Sequence, residues 1–190
     1  MPFSSKGYGR AATSLERRTV DRLWEWTDHG RLPVVVDASP CAWTLRQVGT
    51  ELDGSARRRS ERLRILDGVE FAVELLDNGL VPRRRQRSVM LHPVCSIHKM
   101  ELVPALERVA RACAERVDVP LAAGCCGFAG DRGLLFPELT AAALAAEAAE
   151  VRHAEVDGCY STSRTCEIGL TRATGRSFRS IWTLLDETTR

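Results

Sequence analysis

The chain has 190 residues, 44% hydrophobic and 27% charged, which suits one domain, or one large domain with an extension, and excludes wholesale disorder. A formal net charge of +2 is too small to argue for nucleic acid. No apolar run approaches the roughly 18 residues of a membrane span, and the first ten residues lack an apolar signal core, so a soluble, cytoplasmic protein is expected.

In chain order, residues 14–28 read as a helix with Leu15, Val20, Leu23 and Trp24 on one side. The β-branched run 33–37 reads as a strand buried on both faces. A helix over 70–76 closes at Asn78-Gly79. After the loop 82–87, residues 88–92 form a second buried strand, followed by an amphipathic helix over 101–116. A third strand is placed at 119–122, before Gly124-Cys-Cys-Gly127. Pro137 and Glu138 open a helix running to about Val151. A weak strand at 155–157, a helix starting near Ser161 or Ser163, and a helix over 179–187 complete the chain. Strands separated by helices predict an α/β fold with a mainly parallel sheet.

In this scheme Cys41, Cys95, Cys125, Cys126, Cys159 and Cys166 each come after a strand. Parallel sheets gather the carboxyl ends of their strands on one edge, where ligands bind. The cysteines are therefore expected to converge there. Seven cysteines, an odd number, in a chain without an export signal point to metal or redox chemistry and away from a disulfide frame. The core pattern is His92-Pro-Val-Cys95, 29 residues, Cys125-Cys126-Gly127, 38 residues, Cys166. Four thiolates, on Cys95, Cys125, Cys126 and Cys166, form the soft donor set that an iron–sulfur cluster or zinc prefers. The CxxC spacing of zinc ribbons is absent, which weighs against a simple structural zinc site.

The segments Leu91-His-Pro-Val-Cys-Ser96, Ala123-Gly-Cys-Cys-Gly-Phe-Ala-Gly-Asp-Arg-Gly133 and Ser161-Thr-Ser-Arg-Thr-Cys-Glu-Ile-Gly169 resemble the cysteine-rich "CCG" domain. That domain occurs in heterodisulfide reductase subunits, in iron–sulfur subunits of glycolate and glycerol-3-phosphate oxidation, and at the C-terminal end of FAD-linked D-lactate dehydrogenases. Residues 33–41, 161–169 and 173–176 are most similar to the last group. The domain normally has two halves, each with a CCG motif, and this sequence carries the second motif alone. Residues 2–7 resemble the stretch just after the first motif in relatives, so the chain reads as a C-terminal fragment of a longer dehydrogenase. Residues 1–87 then form the remainder of the first half and 88–190 the second, in one compact cysteine-rich domain. Many relatives have CxxC at the end, where this chain has Ser163 and Cys166.

The resemblance implies a 4Fe-4S-type cluster on Cys95, Cys125, Cys126 and Cys166, with Cys41 a ligand left over from the first half. It implies an electron-transfer module of a D-lactate or D-2-hydroxy acid dehydrogenase. FAD would sit in a partner chain or upstream domain, and quinone or cytochrome would take the electrons. No GxGxxG or other flavin site is visible, so no catalysis is expected from this chain alone. The bland alternative for these thiols is buried structure, and the alternative function is a zinc-bound or metal-free docking subunit of an oxidoreductase complex. A thiol–disulfide reductase on Cys125 or Cys126 ranks last, because adjacent cysteines form a strained disulfide.

Cys113 lies on an apolar helix face and belongs to the core, and Cys159 stays ambiguous. His92 is a loop-bonding histidine or, alternatively, a ligand or proton carrier. His98 and Lys99 cap a helix or bring positive charge to the thiolates. The basic runs 57–59 and 83–85 are solvated faces, with peripheral contact at the inner face of the cell membrane as the alternative. The four tryptophans are assigned to core or subunit contact.

Overall fold

The computed structural model describes residues 6–190, so most of the 2–7 stretch lies outside the described residues. The chain divides into two compact units, one containing residues up to Val36 with Cys41–Asp67, the other Asp37–Pro40 with Gly68–Arg190. The sequence reading draws its line between residues 87 and 88. The structure places the division at Asp67 and Gly68, because Val69 and Ala72 are buried in the larger unit's core.

The first unit contains α1 (Gly9–Trp26), β1 (Val34–Val36), most of α2 (Ser39–Gln47), α3 (Gly54–Arg62) and β2 (Ile65–Asp67). β1 and β2 pair in parallel, Val34 opposite Ile65. Val20, Val48, Leu52 and Ala56 form a small core, and ion pairs Arg17–Asp53 at 2.8 Å and Arg59–Asp21 at 2.7 Å tie α1 to α3. α2, α3 and β2 were not expected from the sequence. The arginine-rich α3 has one buried residue, Ala56, so its apolar stripe is too thin to read.

The second unit begins with α4 (Gly68–Asp77), β3 (Gln86–Leu91), α5 (Cys95–Lys99), α6 (Val103–Cys113) and β4 (Ala114–Asp118). It continues with α7 (Arg132–Leu135), α8 (Pro137–His153), β5 (Gly158–Ser161), α9 (Arg164–Thr174), β6 (Phe178–Ser180) and α10 (Ile181–Thr189). The four strands lie in the order β4-β3-β5-β6, all parallel. The protein is thus α/β, with a mainly parallel sheet and flanking helices. Ser88 to Leu91 are all buried, as a central strand covered on both faces requires. Val89, Leu91, Leu106, Leu144, Tyr160 and Leu184 anchor the core.

Two strands sit elsewhere than expected. Residues 119–122 are not a strand: Pro120 has no N–H to give a ladder, and Leu121 is 99% exposed. The helix before them stops at Cys113, and 114–118 pair with β3 instead, Val117 opposite Val89. The strand placed at 155–157 lies at Gly158–Ser161. Asp157 instead accepts the backbone N–H groups of Arg87 and Ser88, at 2.9 and 3.2 Å. Trp26 lies outside the core, 72% exposed. Among the described residues, no helix is long and apolar enough to cross a membrane.

Candidate thiolate site

β3 and β5 are neighbours, yet the chain leaves β3 towards β4 and leaves β5 towards β6, on the opposite side. That reversal opens a crevice at the carboxyl ends of β3 and β5. The backbone there is fixed: the His92 N–H donates to the Tyr160 carbonyl at 2.9 Å, and the Ser161 hydroxyl to the His92 carbonyl at 3.0 Å. The Ser39 N–H donates to the Thr162 carbonyl at 3.0 Å.

Cys95 opens α5, immediately beyond β3. Cys166 lies in the first turn of α9, beyond β5. Cys125 and Cys126 come from the loop between β4 and α7. Cys126 and Cys166 are buried with their sulfurs 2.8 Å apart, well beyond the roughly 2.05 Å of a disulfide. Cys95 and Cys125 are exposed, and the charges of Cys125 and Cys126 both reach Cys95. Four of the expected site residues therefore share one crevice. Cys41 falls in the first unit, exposed on α2.

The buried pair divides its protons unequally. The hydrogen bond from Cys166 stabilises the Cys126 thiolate and lowers that thiol to about 6, with help from the Phe128 N–H and the charge of His92. The same hydrogen bond raises Cys166 well above the usual thiol range, reinforced by burial and by the Cys126 charge. Cys166 is thus the donor and Cys126 the acceptor. Burial raises Cys95 most, with the Cys125 charge adding to it and Lys99 opposing.

Gly127 makes the turn after the cysteine pair. Its φ is +67°, and a Cβ there would stand 2.8 Å from both the Leu139 carbonyl oxygen and the Ala143 methyl. Phe128 then packs inward, 1% exposed, and closes the loop over the core.

As a donor set, these four sulfurs suit a soft metal or an iron–sulfur centre. A tetrahedral zinc with bonds of about 2.3 Å needs sulfurs about 3.8 Å apart, so the 2.8 Å pair must part to bind one. Among the described residues, no three His, Cys, Asp or Glu side chains already enclose a metal ion. The set fits such a centre in the chemistry of its donors, with the Cys126 and Cys166 sulfurs closed on each other.

Sequence reading missed one residue here, Glu147. Its carboxylate is 1% exposed and lies 2.7 Å from the His92 ring Nδ1, while His92 itself is 0% exposed. The signal was present: Thr140, Leu144, Glu147, Ala148 and Val151 form the buried stripe of α8, with a carboxylate inside an otherwise mostly apolar face. Cys113 and Cys159 are buried in the core, raised by burial and distinct in position, on α6 and within β5.

No protein-family model matches the chain, and no curated protein matches it significantly. The resemblance to the CCG domain rests on its cysteine and glycine motifs alone.

Proposed function

We propose that the chain is an electron-transfer module of a D-lactate-type, FAD-linked 2-hydroxy acid dehydrogenase. It holds an iron–sulfur cluster, of 4Fe-4S type, on Cys95, Cys125, Cys126 and Cys166. Its partners are a flavin-bearing domain or subunit, which supplies electrons, and a quinone or cytochrome, which receives them. It works in the cytoplasm, with peripheral contact at the inner face of the cell membrane as the alternative. The observation that carries this reading is the Cys126–Cys166 contact of 2.8 Å in the β3–β5 crevice, with Cys95 and Cys125 in electrostatic reach.

When bound, the cluster supplies a one-electron store. The protein's own contribution is threefold. Cys126 offers a thiolate at neutral pH without an external base, since its thiol is lowered to about 6. Cys126 and Cys166 stand on the buried side, which shields their bonds from water. Cys95 and Cys125 stand on the exposed side, where a partner's carrier can approach.

A second reading, a docking subunit with zinc or no metal, is favoured by one observation. Leu134, Leu135, Phe136 and Leu139, just beyond the cysteine loop, are 46–67% exposed and form an apolar surface. Iron, zinc and acid-labile sulfide per chain, measured with visible and EPR spectra on protein purified without air, separate the two. About four iron and four sulfide, lost in Cys125→Ser and Cys126→Ser, support the cluster. Zinc, or no metal after anaerobic reconstitution, overturns electron transfer and leaves the docking role.

A further inference from the structure

His92 and Glu147 are placed by separate elements. His92 lies directly after β3, with its backbone N–H and carbonyl both engaged by β5. Glu147 projects from the buried stripe of α8. Their contact, Nδ1 to Oε1 at 2.7 Å, joins two side chains that solvent does not touch. Opposite an ionised carboxylate Nδ1 is the donor, which leaves Nε2 as the ring nitrogen able to bind a metal. That Nε2 is buried without a hydrogen-bond partner. Buried polar atoms in folded proteins are nearly always paired, so an orphan marks a group with another use.

The orphan lies beside the thiolate site. His92 follows β3 directly and stands three residues before Cys95, which opens α5. Metal-binding histidines almost always donate their other ring N–H to a carboxylate, which fixes the tautomer and aims the free nitrogen. His92 and Glu147 already stand in that relationship. The loop backbone is satisfied by β5 and not by the ring.

We propose that His92 Nε2 is a ligand of the metal centre in this crevice in place of one of the four thiolates, with Glu147 as the outer carboxylate that positions it. This rests on the reading that the crevice binds metal. A neutral nitrogen among thiolates makes the centre less negative and easier to reduce. Mixed His and Cys ligation therefore gives a higher midpoint potential than thiolates alone.

The test reconstitutes the full chain anaerobically with ferrous iron and sulfide and records pulsed EPR of the reduced protein, with natural and 15N-labelled histidine. The expected result is a coupling from a directly bonded nitrogen that changes with the label and vanishes in His92→Ala. Because His92→Ala empties a buried site, Glu147→Gln provides a gentler variant. It keeps the side-chain volume and is expected to lower metal affinity roughly 10- to 100-fold. His92→Cys is expected to retain the centre at a lower potential. A cluster signal without histidine nitrogen coupling overturns the proposal and leaves the electron-transfer reading intact. If neither iron nor sulfide is taken up, that reading fails, and cobalt(II) alone becomes the probe. A cobalt–thiolate spectrum that shifts in His92→Ala then supports the ligand, and an absent or unshifted one overturns it.

Discussion

Cys126 and Cys166 share one proton across 2.8 Å, and the sharing is lopsided: Cys126 holds the charge and Cys166 the hydrogen. The asymmetry has a geometric source. The Cys126 sulfur also receives the Phe128 N–H.

Stability should therefore depend on pH in the metal-free, reduced protein. From about 6, where Cys126 ionises in the folded chain, to about 8.5, where an unfolded thiol does, the unfolded state binds one more proton. Stability rises with pH across that window, by at most about 1.4 kcal/mol per pH unit. Above it the order reverses, because Cys166, Cys95, Cys113 and Cys159 are all raised and keep protons that the unfolded chain has shed. Denaturant unfolding between pH 6 and 10 is expected to show a maximum near pH 8.5. Cys166→Ala should flatten the acid limb, and a wild-type curve already flat there would refute the shared proton.

Gly127→Ala is expected to destabilise the fold by about 1–3 kcal/mol, since the new methyl meets backbone that cannot yield and the φ is left-handed. Thermal unfolding measures the loss. Metal uptake should fall with it, because the same turn aims Cys125 and Cys126. Full uptake by a destabilised variant would separate the turn from the site.

Phe128→Ala removes a ring that is 1% exposed and packs against Gly133 and Gly169. A cost of about 3–5 kcal/mol is expected, as for other buried aromatics. Denaturant midpoints give the value, and a change under 1 kcal/mol would mean that the loop repacks.

Ser163 precedes α9, is 5% exposed and hydrogen-bonds towards Cys166. Ser163→Cys places a fifth thiol in the crevice and restores the CxxC spacing of relatives. Metal retention against a chelator is expected to improve roughly tenfold, or about 1.4 kcal/mol. Unchanged retention would show that this position faces away from the centre.

The parallel sheet was legible because Val89, Met90 and Leu91 form a continuous apolar run of strand length between the loop at 82–87 and Pro93. Of the six cysteines expected at strand ends, Cys95 and Cys166 do follow β3 and β5, whereas Cys159 lies within β5, Cys41 belongs to the first unit, and no strand precedes Cys125 at 119–122. β4 was not legible: the apolar period of α6 runs through Cys113 into Ala114 with no Gly or Pro to mark the change, and the more hydrophobic Val119 and Leu121 drew the strand downstream. β5 was hidden because Gly158, Cys159, Tyr160 and Ser161 show no alternation, all but Gly158 being buried. Glu147 was passed over because it reads as a break in an alanine run, when its position four residues before Val151 puts it on the inner face.

The two helices that carry Cys95 and Cys166 grow directly from β3 and β5, whereas Cys125 and Cys126 sit on a long irregular segment hinged at Gly127. Local opening in proteins starts where backbone hydrogen bonds are fewest, so amide exchange should be slow at Leu91 and Tyr160 and fast along 119–131. The crevice is then a jaw with one fixed side. A bound centre would escape by that loop opening while the sheet stayed folded, and because opening must draw Phe128 out of the core, the rate of loss would be set by the packing of that one ring.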